Sequence, residues 1–222
     1  MSIKIGLSMR VMYPNNYIEP RDAISHDWIN FLLLNDFEVV LIPNCGDKVT
    51  KFLDSNNINR IILTNGNDIS NDDNNNELSN ISELRDYTEN LMIEWAIEND
   101  IAILGVCRGA QLINLFYGGS LTHNLEKNHI AINHNVNICD DITSNYFGKL
   151  YFETNSYHKH GIYKHNLAQG LTPFAISEDG IIEGYYNNSK ILSIQWHPER
   201  KFSNNHYNKL VPLKFLLNGP WW

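Results

Sequence analysis

Cysteine is scarce in this chain of 222 residues, which contains only Cys45, Cys107 and Cys139. An odd number of widely separated cysteines forms neither a disulfide framework nor a zinc-type spacing. Basic residues are outnumbered, with 17 Lys and Arg against 25 Asp and Glu, which gives a net charge of −8. This excess of negative charge argues against binding to nucleic acid or to an anionic membrane.

Long apolar runs are absent as well, because none approaches the roughly 20 residues of a membrane span. The opening segment MSIKIGLSMR lacks the layout of a secretory signal, so we expect a cytoplasmic protein. The composition, with 43% hydrophobic and 19% charged residues, is that of an ordinary globular protein. Since neither a repeat nor a linker interrupts the chain, we expect one domain over residues 1–222.

Apolar strands alternate with helical segments through the first half of the chain. Such continuous apolar runs predict a parallel sheet between two helical layers, which is a three-layer α/β/α architecture. Shorter strands in the second half predict an antiparallel or mixed extension of the same sheet. The predicted strands are Ile3–Met9, Phe37–Pro43, Arg60–Thr64, Ile101–Val106, Val136–Ile138, Leu150–Thr154, Phe174–Ser177, Ile181–Tyr186 and Ile191–Gln195. The predicted helices are Asp22–Leu34 with Asp22 as N-cap, Asp47–Asn57, Ser82–Asn99 capped by Ser82, Arg108–Tyr117 and about Asn208–Leu217.

An asparagine-rich segment separates the third predicted strand from the helix that Ser82 caps. Asn65–Asn80 contains seven Asn and three Asp among sixteen residues. We interpret it as an exposed loop, since polar tracts are typical of loop tips. A flap over a functional site is the alternative, because the segment follows the end of a strand.

The sharpest local pattern is Gly-Val-Cys-Arg-Gly at residues 105–109, between an apolar strand and a helix. Glycines two residues on either side of Cys107 are what a tight strand-to-helix turn requires, because side chains there would clash. The turn places the thiol at a helix N-terminus, where unpaired N–H groups favour the thiolate. The pattern therefore predicts that Cys107 is a nucleophile in a strained conformation.

A thiolate nucleophile needs a base and an orienting partner, and the chain has 9 histidines. His197 and Glu199 directly follow an apolar strand, where the active sites of open α/β sheets lie. Two residues apart in an extended segment, they point the same way, which predicts that Glu199 orients His197. The backbone N–H groups of Arg108 and of a residue near Gly66 are the predicted oxyanion donors.

The segments GVCRGAQLINLFYGGSL and IQWHPE resemble the class I glutamine amidotransferase domain, a Cys-His-Glu family with a flavodoxin-like α/β/α fold. LTNG, RDYTENL and NSYHKHG resemble, in the same order, that family's oxyanion glycine loop, the helix before the nucleophile strand and the segment that binds the glutamyl α-amino and α-carboxylate groups. The likeness runs over about residues 60–200. Within the family, CRG is most similar to free-standing γ-glutamyl hydrolases of the γ-glutamyl-γ-aminobutyrate hydrolase type.

The resemblance implies a role for each matching residue and implies no cofactor. Cys107 is the nucleophile, His197 the base and Glu199 the orienting residue, while Gly66 and Arg108 supply oxyanion N–H groups. The implied substrate-binding residues are Gln111, Asn155, Ser156, Tyr157 and His158. This chain has Asn65-Gly66 where many relatives have paired glycines, and Lys159-His160 where these hydrolases often have His-Gln. Both departures leave the identity of the leaving amine open.

The remaining candidates carry weaker signals. Arg10 ends the first predicted strand and is a candidate contact to an anionic leaving group, with Arg21 as a second candidate and a surface salt bridge as the alternative. We do not expect a metal at His158, His160 and His165, because neither a cysteine nor a carboxylate joins them at ligand spacing. The final Pro220-Trp221-Trp222 is a packed tail or an interface, and a homodimer stays open.

The expected reaction is hydrolysis of a γ-glutamyl amide, which releases L-glutamate and an amine through a thioester. A similar first-strand segment ending in Arg occurs in relatives associated with surface-sugar gene sets, which favours γ-glutamyl-CDP-amidate, in capsular phosphoramidate synthesis, as substrate. The alternatives are a γ-glutamyl-polyamine or γ-glutamyl-γ-aminobutyrate, or a glutaminase subunit that delivers ammonia to a partner synthase. A catalytically inactive binding module is disfavoured by the intact Cys107, His197 and Glu199.

Overall fold

The computed structural model describes residues 2–70, 80–125, 129–148, 151–201 and 206–222. Its strands are β1 (Lys4–Ser8), β2 (Arg10–Met12), β3 (Arg21–Ala23), β4 (Glu38–Ile42), β5 (Arg60–Leu63), β6 (Ala102–Val106), β7 (Ile130–Ile138), β8 (Tyr151–Tyr157), β9 (Thr172–Ser177), β10 (Ile182–Asn187) and β11 (Ile191–Ile194). Its helices are α1 (His26–Leu33), α2 (Val49–Asn56), α3 (Glu83–Glu98), α4 (Arg108–Phe116), α5 (Asp141–Phe147) and α6 (His206–Asn218), with a 3₁₀ turn at Gly46–Lys48.

One large sheet organises the described residues, in the order β4-β1-β5-β6-β11-β10-β9-β7-β8. The strands from β4 to β11 pair in parallel, and those from β11 to β8 pair antiparallel. The predicted parallel sheet with an antiparallel extension is therefore confirmed. Because β5, β6 and β11 are parallel neighbours, their carboxyl ends meet at one edge of the sheet, where ligands of open α/β folds bind.

The core lies on both faces of this sheet. Along β6, Ala102 and Leu104 pack into one apolar cluster with Trp28, while Ile103 packs into a second cluster with Met92. Each strand residue is thus buried whichever way its side chain points, which is why these strands read as continuous apolar runs. No helix among the described residues is both long and apolar enough to cross a bilayer.

The segment after β1 differs from its prediction. Arg10 does not end the first strand, because it begins β2, which pairs antiparallel with β3 as a separate two-stranded sheet. The predicted N-cap Asp22 is wrong: α1 begins at His26 with Ser25 before it. Asp22 lies in β3, where its carboxylate accepts hydrogen bonds from the backbone and side-chain amides of Asn44 at 2.9 and 2.6 Å.

Two features of the second half escaped prediction for the same physical reason. The strand predicted as Val136–Ile138 begins at Ile130, and its first half carries exposed or half-buried side chains. The helix α5 is seven residues long and buries only Thr143 fully, so neither element shows an apolar period. The asparagine-rich segment lies largely outside the described residues.

The two final tryptophans pack against the rest of the fold. The ring of Trp221 stacks on Tyr146 with centroids 5.7 Å apart, and that of Trp222 stacks on Tyr186 at 4.3 Å. Their Nε1–H groups donate to Thr143 Oγ1 at 3.1 Å and to the Asn187 carbonyl at 2.9 Å. Of the two readings of this tail, the packed one is therefore correct.

Helix α3 begins as predicted, with the Ser82 hydroxyl accepting a hydrogen bond from the Arg85 amide at 3.3 Å. Its buried side, however, carries charge: Arg85 and Glu89 are fully buried and Asp86 is nearly so. Buried charges are retained only with partners, and those partners lie at the functional site described below.

Helix α4 lies unusually close to β5, and Gly109 permits this approach. A Cβ added at Gly109 would lie 2.2 Å from the carbonyl oxygen of Leu63, which is backbone and cannot rotate away. The closeness fixes the distance between the end of β5 and the start of α4, and therefore the depth of the turn that contains Cys107.

We expect Gly109→Ala to lower the free energy of unfolding by about 3 kcal/mol, because the helix must move away from the sheet. Urea denaturation measures the loss. Gly118→Ala is the matched control, since Gly118 has a φ of +85° but open space around it, and we expect it to lose only about 1 kcal/mol. Equal losses in the two variants would mean that the contact with Leu63 is not limiting.

Candidate active site

Cys107 occupies the sharp turn between β6 and α4. Its backbone has φ 53° and ψ −105°, so the strained conformation predicted for this residue is confirmed. A Cβ added at Gly105 would lie 2.6 Å from Ile113 Cδ1 and 2.9 Å from the Gly109 carbonyl carbon, which explains the glycine before the nucleophile. The thiol sits at the N-terminus of α4, the end of a helix that favours negative charge.

His197 reaches the same place from β11, the parallel neighbour of β6. Its Nδ1 lies 2.8 Å from Glu199 Oε1, and both side chains are almost completely buried. The His197 backbone is also fixed, because its N–H donates to Asn155 Oδ1 at 2.8 Å and its carbonyl accepts from Asn155 Nδ2 at 2.9 Å. The Nδ1 contact leaves Nε2 as the ring nitrogen available toward Cys107.

The charges of this group stabilise a thiolate–imidazolium pair. Burial alone would lower the pKa of His197, but the charges of Glu199 and Cys107 outweigh it and raise the pKa to about 9. Burial would likewise raise the pKa of Cys107, yet His197 and then His158 lower it below the ordinary value of a thiol. Cys107 is therefore poised as a nucleophile at neutral pH.

The loop after β5 lies across the edge from Cys107 and is held by Arg85. The guanidinium donates to the carbonyl oxygens of Thr64, Asn65 and Gly66 in succession, at 2.8 Å for Thr64. With three consecutive carbonyls directed to one cation, the conformation of the loop is fixed. Gly66 takes a φ of +83°, which suits glycine.

Arg85 is itself part of a buried ionic network. Its Nε donates to Glu89 Oε1 at 2.9 Å, and the other carboxylate oxygen of Glu89 accepts from Arg108. Arg108 also binds Asp86. Sequence reasoning gave Arg108 only a backbone role and missed Arg85, Asp86 and Glu89. The signal was the spacing in RDYTENL, which places these charges on one face of a helix.

A cavity of about 220 Å³ opens over Cys107 between these elements. Of the predicted substrate-binding residues, the structure brings Gln111, Tyr157 and His158 to its walls. Lys159 and His160 lie beside them, and Gln111 Nε2 donates to the His160 carbonyl at 3.1 Å. The complete lining is Gly66, Asn67, Asp68, Asn80, Cys107, Arg108, Gln111, Tyr157, His158, Lys159 and His160.

The side chains of Asn155 and Ser156 do not line this cavity. Asn155 binds the His197 backbone, as described above, and the Ser156 hydroxyl donates to the His129 carbonyl at 2.8 Å. The predicted contact of these two side chains with substrate does not follow from this geometry. It gives Asn155 a positioning role for His197 instead.

Two arginines border the catalytic group on the side away from Gln111. The Arg10 guanidinium lies over Gly66, since a Cβ added there would come within 2.6 Å of Arg10 Cζ. Burial and the nearby charge of Arg200 lower the pKa of Arg10. Arg200 lies over the Tyr157 ring at 3.9 Å, with its Nε 3.7 Å from Glu199 Oε1. Arg21, in contrast, is exposed and paired with Glu19.

The reason given against a metal near His158 is wrong in one respect, because a carboxylate does join it. Glu183 on β10 is completely buried, with Oε1 3.5 Å from His158 Nε2 and 3.5 Å from His134 Nε2. Burial would raise the pKa of Glu183, but His134 and His158 lower it to about 2. Glu183 and His134 lie far from His158 in sequence, so no local spacing announced them.

This fold and this arrangement at the strand ends define a class I glutamine amidotransferase-like hydrolase with a flavodoxin-like sheet. The chain belongs to the peptidase C26 family, whose family model matches residues 14–199.

Curated relatives agree with this assignment. The chain is 32% identical to the glutamine amidotransferase-like protein YvdE of Lactococcus lactis, over 73% of this chain and 74% of that protein. It is 29% identical to the gamma-glutamyl-CDP-amidate hydrolase of Campylobacter jejuni, over 95% of both chains.

Solved structures show the same fold. A GMP synthase protein of Thermoplasma acidophilum superposes with a TM-score of 0.69 at 20% identity, covering 97% of this chain and 93% of that one. A glutamine amidotransferase of Thermotoga maritima superposes with a TM-score of 0.64 at 12% identity, covering 98% and 89%.

The three cysteines allow an internal test of the electrostatics. Because its pKa is lowered, Cys107 should react with iodoacetamide at a pH at which ordinary thiols are protonated, whereas burial raises the pKa of Cys45 and of Cys139. Peptide mass spectrometry against pH should place the inflection of Cys107 below those of the other two. His197→Asn should move that inflection to higher pH, since it removes the stabilising imidazolium. An unmoved inflection would contradict the proposed pair.

Proposed function

We propose that this protein hydrolyses the amide bond of a γ-glutamyl compound and releases L-glutamate. The observation that carries the proposal is the Cys107 thiol, held in a strained turn beside the His197–Glu199 pair and open to a cavity. Within this pair, Glu199 orients the imidazole and stabilises its protonated form.

The first half of the reaction breaks the amide bond. The Cys107 thiolate attacks the γ-carbonyl carbon, a C–S bond forms, and the carbonyl oxygen becomes an oxyanion. The backbone N–H groups of Arg108 and Gly66 stabilise that oxyanion. The C–N bond then breaks as the His197 imidazolium gives its proton to the leaving nitrogen, which leaves a γ-glutamyl thioester.

The second half returns the enzyme to its starting state. Neutral His197 removes a proton from water, and the resulting hydroxide attacks the thioester carbonyl. The C–S bond breaks, glutamate leaves, and the thiolate–imidazolium pair forms again. Gln111, Tyr157 and His158 line the part of the cavity that holds the glutamyl half.

The leaving half of the substrate is anionic in this proposal, and γ-glutamyl-CDP-amidate is the preferred substrate. Arg10 and Arg200 place two guanidinium groups beside Cys107, in a chain whose net charge is −8. Guanidinium groups match phosphate oxygens in pairs of hydrogen bonds. The relative that covers 95% of both chains is a gamma-glutamyl-CDP-amidate hydrolase, which supports the same choice.

A substrate panel tests the reaction class. The purified protein should release glutamate from γ-glutamyl-CDP-amidate, and more slowly from a γ-glutamyl amine, without any partner. Cys107→Ser should lower kcat by at least about a thousandfold and leave the circular dichroism spectrum unchanged. Turnover of glutamine only in the presence of a synthase would favour the other reading, a glutaminase that depends on its partner. A folded Cys107→Ser protein with activity within about tenfold of wild type would reject Cys107 as the nucleophile.

The role of the arginines is tested separately. Arg10→Ala should raise KM for the nucleotide amidate by more than about tenfold, the effect of losing roughly 1.4 kcal/mol of charge-assisted contact. It should leave KM for a neutral γ-glutamyl amide almost unchanged. Arg21→Ala is the matched control, because Arg21 lies on the neighbouring strand β3 and is exposed. Equal effects of Arg10→Ala on both substrates would show that Arg10 only supports the Gly66 loop.

A further inference from the structure

A second group of ionisable side chains lies behind the cavity wall, outside the Cys107–His197 pair. His129 precedes β7, His134 lies within it, and Glu183 lies on β10. One nitrogen from each histidine and one Glu183 oxygen all fall within 4.8 Å of one another. The side chains of His129, His134 and Glu183 are 3%, 15% and 0% exposed.

The hydrogen-bonding capacity of this group is largely unused. Among the described residues, both carboxylate oxygens of Glu183 and the Nε2 atoms of His134 and His158 are buried without a hydrogen-bond partner. An ionised carboxylate buried without hydrogen bonds is costly, and such atoms in a native protein call for a ligand. The 3.5 Å separations from Glu183 Oε1 to the two imidazoles are longer than good hydrogen bonds.

The same separation suits two ligands of one metal ion. With metal–nitrogen and metal–oxygen bonds of about 2.0–2.1 Å in a tetrahedron, neighbouring ligand atoms lie about 3.3 Å apart. The distance from Glu183 Oε1 to His134 Nε2 is 3.5 Å, and the widest separation in the group, 4.8 Å, closes with small side-chain rotations.

His129 has the support that a metal-binding histidine requires. Its Nε2 lies 2.9 Å from Asp179 Oδ2, and a carboxylate on one ring nitrogen is the arrangement that orients an imidazole toward a metal. The proton of the Ser156 hydroxyl is directed to the His129 carbonyl at 2.8 Å. The lone pair of His129 Nδ1 is therefore left for another partner.

We propose that His129, His134 and Glu183 form a binding site for a divalent transition-metal ion of the Zn²⁺ type. Two imidazoles and one carboxylate suit zinc, whereas calcium and magnesium prefer oxygen ligands alone. The site is separate from the catalytic residues, yet Glu183 also faces His158, which lines the cavity. The proposal is independent of which γ-glutamyl compound is hydrolysed.

The test measures zinc binding directly, in the Cys107→Ser protein, so that the catalytic thiolate does not contribute. After chelator treatment, titration with Zn²⁺ against a chromophoric competitor should show one tightly bound equivalent. His134→Ala and Glu183→Gln should each weaken this binding by more than about 100-fold, since loss of a supporting residue alone costs 10–100-fold. His165→Ala is the control, because His165 is exposed and outside the group, and it should bind zinc like its parent.

Two further readouts keep the result interpretable if a variant is less stable. Zn²⁺ should raise the thermal midpoint of the Cys107→Ser protein and not that of its His134→Ala derivative. Co²⁺ in the Cys107→Ser protein should show the strong visible absorption of a tetrahedral nitrogen–oxygen site. Failure to bind zinc, an octahedral cobalt spectrum, or binding that survives both His134→Ala and Glu183→Gln overturns the proposal.

Discussion

The contact between the buried guanidinium of Arg85 and the loop after β5 is the constraint on which the site depends. Arg85 fixes the carbonyls of Thr64, Asn65 and Gly66, and through Glu89 it is joined to Arg108, the residue after the nucleophile. Burial lowers the pKa of Arg85 to about 10, which leaves it charged at neutral pH. Removing one member of such a network leaves an unpaired buried charge and costs about 3–5 kcal/mol.

This network sets a distance that the sheet alone does not. Parallel pairing of β5 with β6 and of β6 with β11 brings the Gly66 loop, Cys107 and His197 to one edge. The lateral position of α4 is then fixed twice, by the contact of Gly109 with Leu63 and by the ion pairs of Arg108. A proposed oxyanion site between two backbone segments needs this accuracy, because such donors act within about 0.5 Å of their productive geometry.

How far the sequence predicts this molecule depends on the range of each signal. The turn at Cys107 and the strand that precedes His197 are local, so a tight glycine pattern and an apolar run were sufficient to predict them. The parallel half of the sheet follows from the same apolar runs. The remainder depends on contacts between distant segments.

Three residues illustrate the contacts that could not be predicted. Asn155 binds the backbone of His197, 42 positions away, and nothing in its own neighbourhood indicates that partner. The carboxylate of Glu183 meets imidazoles that arrive from two other strands. Ion pairs within α3 follow helical spacing, but only the tertiary fold shows that Arg85 is buried and which carbonyls it binds.

The positive φ of Cys107 has a consequence for how this sequence can change. A non-glycine residue in that conformation costs about 1–3 kcal/mol, and the surrounding turn must supply it. Glycine would relieve that strain and remove the thiol in one substitution. The most stable sequence for this backbone is therefore not the reactive one, and selection for thermal stability alone would favour loss of the nucleophile.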